Sequence, residues 1–155
     1  MNLLKSLGVL LSLTVSAVAA PSIIDLAGDW QVSLQPPAAE NATWHSIRLP
    51  GTLTDAGLGE PLQKKPDLTL ATLAHLQAKF SHIGPAWYRR EIVIPPDWAG
   101  RRIRLELGRV LWESQVWVDG REAGRADSLV APHIHDLSAW LPPGRHVLLV
   151  RIDNR

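Results

Sequence analysis

The sequence AWYRREIVI at residues 86–94 decides the fold of this 155-residue chain. It is rich in aromatic and β-branched residues, which are favoured in strands. It ends at Pro95 and Pro96, because proline has no N–H group to donate to a sheet ladder. We therefore predict a β-strand from Ala86 to Ile94.

Two further strands follow closely in the sequence. Over Arg101–Leu107, charged residues alternate with Ile and Leu, which is typical of a strand with one polar and one apolar face. Over Ser114–Val118, valines alternate with polar or aromatic residues. The dipeptide Asp119-Gly120 comes next and favours a type I′ turn, because it tolerates positive φ angles. This turn predicts a β-hairpin.

Short strands also dominate the rest of the chain. Turn residues and prolines separate these segments, and almost no helical pattern is present. An all-β chain of this kind is typical of an antiparallel β-sandwich. The additional strands are predicted at Asp29–Leu34, Trp44–Leu49, His133–Asp136 and His146–Ile152.

The connection at residues 50–85 is long for a compact domain, and long connections are often functional. Within it, residues 68–78 fit either one or two helical turns or an extended segment. Both alternatives remain open.

Composition excludes several classes of partner. The net charge is +1, and removal of a leader that contains Lys5 leaves equal numbers of basic and acidic residues. The chain therefore offers no electrostatic reason to bind nucleic acid or an anionic membrane. It has no cysteine, so it forms no disulfides, and it carries no cofactor motif. Seven tryptophans are unusual; tryptophan fills cores and also stacks on sugar rings.

Residues 1–19 are predicted to be a secretory signal peptide. Lys5 supplies the positive charge, and residues 7–15 supply the apolar segment. Cleavage is predicted after Ala19, because cleavage one residue later would place Pro21 beside the scissile bond. The apolar run is short for a membrane-spanning helix, which needs about 20 residues. We therefore expect export to a periplasm or the exterior, with no membrane attachment after cleavage.

Several motifs, in this order and spacing, resemble the N-terminal sugar-binding domain of glycoside hydrolase family 2. The resemblance extends from Leu26 to Arg155 and thus covers nearly everything after the leader. The motifs are WYRR at residues 87–90, WAGRR at 98–102 and VWVDG at 116–120, flanked by LAGDW at 26–30, LPGT at 49–52 and VRIDNR at 150–155.

That family includes β-galactosidases, β-glucuronidases and β-mannosidases. The resemblance implies that residues 20–155 form a galactose-binding-like jelly roll that serves a β-linked glycoside substrate. It implies an immunoglobulin-like domain and a TIM barrel downstream in the full-length enzyme. It also implies that loops within residues 50–85 approach the active site of that enzyme, with a plain surface loop as the alternative. It also implies a further strand after Arg155, so the chain is expected to be truncated, with an unpaired sheet edge that weakens the domain or favours association.

Catalysis is not expected in this chain by itself. Retaining glycoside hydrolysis needs two carboxylates roughly 5 to 5.5 Å apart, and no pattern ties two carboxylates together here. The resembled family carries its acid/base in an Asn-Glu dipeptide on the barrel, and this sequence has no Asn-Glu dipeptide. We predict no catalytic residues, and we assign the glycosidase activity to a domain outside the chain.

Three residues are predicted to bind substrate. Trp112 and Glu113 lie between two predicted strands, where an aromatic ring can stack on a sugar and a carboxylate can bind its hydroxyls; core packing of Trp112 is the alternative. The resemblance to β-glucuronidases implies that Asp136 lines the sugar site. A carboxylate that caps the turn at Leu137–Trp140 is the simpler explanation of Asp136, and both roles are compatible.

Other features have simpler explanations. His133 and His135 share a strand face, as metal ligands would, but no third ligand is evident, so we predict no metal site.

Trp117 alternates with the valines and is predicted to face outward or to contact another domain. Five charged residues are predicted to form one solvated ion-pair face: Arg89, Glu91, Arg102, Arg104 and Glu106.

Two functions of other classes remain as alternatives to the accessory domain of a glycosidase. One is a free-standing secreted carbohydrate-binding module, which would lose saccharide affinity on Trp112→Ala or Asp136→Ala. The other is a purely structural β-sandwich with no affinity for sugar and an apolar interface around Trp117.

Overall fold

The computed structural model describes residues 22–62, 69–70 and 79–155. These residues form ten β-strands and one short 3₁₀ helix at Pro96–Trp98. The strands are β1 (Gly28–Ser33), β2 (His45–Leu49), β3 (Glu60–Pro61), β4 (Phe80–Ser81), β5 (Pro85–Ile94), β6 (Arg104–Leu107), β7 (Glu113–Val118), β8 (Arg121–Asp127), β9 (His133–Asp136) and β10 (Gly144–Asp153).

One antiparallel sheet forms the larger layer, with strand order β2-β1-β5-β10-β7-β8. Its centre is the pair β5 and β10, which align over ten positions from Gly144 opposite Ile94 to Asp153 opposite Pro85. The stretch AWYRREIVI therefore lies in the middle of the sheet. The predicted strand Ala86–Ile94 is confirmed and begins one residue earlier.

The second layer is smaller. β6 pairs with β9 over four positions, from Arg104 opposite Asp136 to Leu107 opposite His133. β3 and β4 form a separate pair of two residues each. The predicted antiparallel β-sandwich is confirmed.

The hydrophobic core lies between the two layers. Alternate residues of the large sheet face inward, including Val32, Val116 and Leu148, all of which are buried. Leu105 and Leu137 face them from the smaller layer. Because side chains alternate along a strand, the neighbouring residues of these strands point to solvent.

The turn at Asp119-Gly120 has the predicted backbone conformation. The φ angles of the two residues are +50° and +78°, and Val118 pairs with Arg121 across the turn. The carboxylate of Asp119 accepts a hydrogen bond of 2.8 Å from the backbone N–H of Val147 on β10. The hairpin is therefore fixed to the centre of the sheet at its tip.

The structure differs most clearly from the predicted strands at β6 and β8. The predicted strand Arg101–Leu107 begins only at Arg104, because the backbone N–H of Ile103 donates to the Ser138 side chain and its carbonyl accepts from Leu137. The strand Arg121–Asp127 is absent from the sequence prediction. It is mostly polar and lacks a clear apolar alternation, because it forms an edge of the sheet.

Other predictions fall outside the described residues. The signal peptide at residues 1–19 is one of them, and so is most of the segment at residues 68–78, whose sequence fits both a helical and an extended conformation. In the part of the chain that the structure describes, no helix has the length and apolar character needed to span a bilayer.

Candidate functional site

A groove with a volume of about 690 Å³ lies where several connections between strands meet. Volumes of about 300 to 1,000 Å³ are usual for pockets that bind small molecules. Residues from the connections line it, at 51–53, 108–111 and 129–131, together with His82 and Gly84. Strand residues complete the lining: Ala86 and Tyr88 of the central strand β5 and Ile152 of β10, with Asn154 directly after β10.

The rim of this groove is unusually apolar. Leu111, Leu129 and Val130 line the groove and are all exposed, and Val130 has 96% of its surface in solvent. Exposed apolar residues that cluster in one place mark a surface that contacts a ligand or another protein domain. Arg109 is the cation of the groove lining, and among the described residues it has no hydrogen-bond or ion-pair partner.

Asn154 fixes one wall of the groove. Its side-chain oxygen accepts a hydrogen bond of 2.7 Å from the backbone N–H of Gly84. Its amide donates one of 2.8 Å to the carbonyl oxygen of His82. A residue at the end of β10 therefore holds a connection about 70 positions earlier in the chain, so this wall is positioned by long-range contacts.

Two carboxylates, at the start of β7 and at the end of β10, are held by arginines. Glu113 accepts hydrogen bonds from Arg151, at 2.6 Å, and from Arg125. Asp153 accepts from Arg151 and from Arg155, the latter at 2.8 Å. The hydrogen bonds from Arg155 lower the pKa of Asp153 to about 2. These five side chains form a network that connects β7, β8 and β10.

Trp112 lies directly before β7, in the connection that lines the groove. Its backbone N–H donates to the carbonyl of Asp153 at 3.0 Å, and its carbonyl accepts from the N–H of Ser128 at 3.1 Å. The side chain is 46% exposed, so Trp112 is not a core residue and its ring is open to a ligand. Its role in binding sugar stays a prediction.

Glu113 is less accessible than its predicted role requires. Only 12% of its side chain is exposed, and both carboxylate oxygens are engaged by the arginines. This arrangement gives Glu113 a structural role, and sugar binding by it stays a prediction.

Asp136 lies at the opposite end of β9 from the groove. It accepts hydrogen bonds from the backbone N–H of Ser138 at 3.1 Å and from Arg102 at 3.0 Å. The Ser138 hydroxyl also donates to it, and these contacts, led by that hydroxyl, lower its pKa to about 2. The predicted capping role is confirmed. A sugar-binding role stays a prediction, and the structure does not bring Asp136 together with Trp112 and Glu113.

Comparisons with known proteins place this geometry in context. The chain is 27% identical over 124 residues to a β-glucuronidase of Paenibacillus borealis, which covers 79% of this chain and 19% of that protein. A solved β-glucuronidase of Faecalibacterium prausnitzii is 26% identical, with a TM-score of 0.59, over 85% of this chain and 21% of the other. The resemblance to the N-terminal domain of glycoside hydrolase family 2 is confirmed.

The fold is also shared with more distant structures. A Ruminococcus gnavus β-glucuronidase in complex with a C6-substituted uronic isofagomine has a TM-score of 0.61 at 20% identity, over 83% of this chain and 21% of that one. No protein-family model matches the chain. The chain spans about a fifth of the length of these glycosidases, so their N-terminal part alone corresponds to it.

His133 and His135 share a strand face, as predicted, but that face is the interior of the sandwich. Both side chains are buried, and both rings contact the hydroxyl of Ser114. In the described ranges, no three His, Asp, Glu or Cys side chains are grouped so that they could hold a metal ion.

The predicted single face of charged residues is wrong. Arg89 and Glu91 lie on β5 in the large sheet, where Glu91 pairs with Arg145. Arg104 and Glu106 lie on β6 in the other layer. The alternation along each strand was correct, but it does not show that the two strands belong to different layers.

Sequence analysis missed Arg109 and Asn154 as residues of the groove. Asn154 belongs to the closing motif VRIDNR, which by itself indicates only the family resemblance. Its position directly after a strand was an available signal, because polar residues at strand ends often hold neighbouring connections. Arg109 gave no such signal, because its place depends on how four distant segments meet.

Proposed function

We propose that the chain is the N-terminal accessory domain of an exported family 2 β-glycosidase and that it helps to shape the substrate pocket. Hydrolysis is carried out by a catalytic domain elsewhere in the polypeptide. The named relatives are β-glucuronidases of which the chain spans about a fifth, which supports this division of work. Export rests on the leader at residues 1–19.

The observation that carries this proposal is the groove with its apolar rim. Leu111, Leu129 and Val130 would lose exposure if another domain covered them, which is favourable by about 25 cal/mol per Å² of apolar surface. The groove itself is large enough for a sugar residue. We infer that this end of the sandwich faces both the catalytic domain and the substrate.

The substrate class that fits the groove is a β-glucuronide. Arg109 has no carboxylate partner among the described residues, and a guanidinium binds a carboxylate through two parallel hydrogen bonds. The relatives act on glucuronides according to their names, and a glucuronide carries one carboxylate on its ring. Arg109 is the residue we propose to contact it.

The first step of the experiment is to sequence the native gene beyond the codon for Arg155. We expect a reading frame that continues into a barrel domain, and the complete polypeptide is then assayed. Arg109→Gln should raise KM for an aryl β-glucuronide about 10-fold, because one charge-assisted hydrogen bond is worth roughly 1.5 to 3 kcal/mol. It should leave KM for the corresponding neutral β-glucoside unchanged.

Arg104→Gln is the matched control, because Arg104 is exposed on β6, away from the groove lining. An equal loss in both variants, or an equal loss for both substrates, would contradict the role of Arg109. A stop codon directly after Arg155 in the native gene would contradict the accessory-domain proposal. Saccharide titration of the chain would then test the free-standing carbohydrate-binding module, with Trp112→Ala as the variant.

A further inference from the structure

A buried polar cluster joins the two layers of the sandwich. Ser114 lies on β7 in the large sheet, and His133 and His135 lie on β9 in the smaller layer. The Ser114 hydroxyl oxygen is 2.7 Å from Nδ1 of His133 and 2.9 Å from Nε2 of His135. At most 3% of the surface of each of the three residues is exposed. The proposed function does not use this cluster.

The hydrogen-bond partners indicate which ring nitrogens of His133 and His135 carry a proton. Nε2 of His133 lies 3.1 Å from the carbonyl oxygen of Ser128, which only accepts, so this nitrogen carries a proton. In a neutral ring, Nδ1 of His133 is then an acceptor, and Ser114 donates its hydroxyl proton to it. The Ser114 oxygen in turn accepts the N–H of His135 at Nε2. The chain of hydrogen bonds is complete with two neutral imidazoles.

Among the described residues packed around the cluster, none offers a charge that could stabilise an imidazolium. On the inward face, β6 presents Leu105 and Leu107 directly opposite the two histidines. β7 presents Val116 and Ser114, which pair with Gly124 and Ala126 of β8. A Cβ atom on Gly124 would lie 3.1 Å from Nδ1 of His135, so β8 packs closely against that ring.

The charged residues of the same strands lie on the other faces. Arg104 and Glu106 of β6 are exposed, and Glu113 of β7 pairs with Arg125 of β8 on the outer side of the large sheet. Asp127, beside Ala126, alternates to that outer side too. The neighbouring His133 ring gives no attraction either, because its electrostatic effect on a proton at His135 is repulsive.

We propose that the cluster of Ser114, His133 and His135 is an acid-sensitive latch: uptake of one proton separates β9 from β7 and frees residues 128–132, which border the groove. A proton on Nδ1 of His135 places a positive charge against uncharged strands. This buries a charge without a partner, which is strongly unfavourable.

The direction of the pH dependence follows from proton binding. Burial, together with the neighbouring His133, lowers the pKa of His135 in the folded chain. As pH falls below about 6.5, the unfolded or opened state therefore binds more protons than the closed state. Each excess proton raises the opening equilibrium constant by up to about 10-fold per pH unit.

The test compares urea unfolding of the chain and of His135→Gln between pH 6.5 and 5.0. Glutamine can donate to Ser114 but does not titrate, so the acid-induced increase in the unfolding constant should be about 10-fold smaller in the variant. His45→Gln is the matched control, because His45 is exposed on an edge strand and should leave the pH dependence unchanged. His146 is present in all three proteins, so its contribution cancels.

A second measurement needs no variant. Amide hydrogen exchange of residues 128–136 should accelerate with falling pH beyond the intrinsic chemical change, whereas exchange in β5 should not. NMR titration should place the pKa of His135 below 6.5. An identical pH dependence of unfolding in the chain and in His135→Gln would overturn the proposal. So would titration of His135 at or above 6.5 with no change in exchange at residues 128–136.

Discussion

Glu113 offers the sharpest test of whether a residue near the groove serves the structure or the ligand. Its carboxylate accepts hydrogen bonds from Arg151, at 2.6 Å, and from Arg125. Only 12% of the Glu113 side chain and 20% of the Arg151 side chain are exposed, whereas Arg125 is 65% exposed. The change Glu113→Gln keeps the shape of the side chain and removes its charge.

The magnitude follows from the two partners. A hydrogen bond to a charged group contributes about 1.5 to 3 kcal/mol, and a neutral one about 0.5 to 1.5 kcal/mol. Gln keeps a hydrogen bond from Arg151 in which only the guanidinium is charged, and the exposed pair with Arg125 contributes at most about 1 kcal/mol. Arg151 also retains Asp153 as a partner. We expect a loss of about 1 to 2 kcal/mol in the free energy of unfolding.

The assay is urea unfolding at pH 7, supported by the thermal midpoint, which should fall by about 3 to 8 °C for a domain of this size. Glu106→Gln is the matched control, because Glu106 is exposed on β6 and has no ion pair among the described residues. It should change stability by less than about 0.5 kcal/mol. Equal stability of the two variants would refute the structural role of Glu113 and would favour its predicted contact with sugar.

Two further predictions concern the core and the hairpin tip. Leu148→Ala on the central strand should cost about 2 to 5 kcal/mol, because its side chain is fully buried; Val147→Ala, with a half-exposed side chain, should cost much less, and equal urea midpoints would contradict the position of the core. The second concerns His146, whose Nδ1 is 2.7 Å from the Asp119 carboxylate and whose Nε2 is 2.7 Å from the Pro142 carbonyl. The hydrogen bond to Asp119 raises the pKa of His146, so its stabilisation is complete below about pH 6.5 and is lost as pH rises through the raised value. Asp119→Asn should lower the pKa of His146 in an NMR titration, and an unchanged value would contradict this pairing.

His146 and His135 change the stability of the fold in opposite directions as the pH changes. His146 donates from both ring nitrogens to oxygen acceptors, which favours its charged form. His135 is buried beside another histidine, which favours its neutral form. Between pH 5 and 7, these two contributions to the pH dependence of stability therefore oppose each other. Variants that remove one histidine at a time separate these contributions.

The sequence by itself determined most of the strands. The ends of β5 follow from a β-branched and aromatic segment that stops at two prolines, and the hairpin tip follows from Asp119-Gly120. These are local effects of backbone sterics and side-chain shape, which act within a few residues. The alternation of residues along β9 likewise suffices to place His133 and His135 on one face of that strand.

Only the tertiary structure decided which strands are neighbours and what each face meets. Alternation does not distinguish a face that meets water from one that meets another sheet. The buried contact of His135 with Ser114 therefore could not be predicted from the sequence. The groove is formed by segments that are distant in the chain, and Asn154 holds Gly84 across 70 positions. The partners of Glu113 come from β8 and β10. Such contacts depend on strand order, which is set by the packing of the whole core and not by any local pattern.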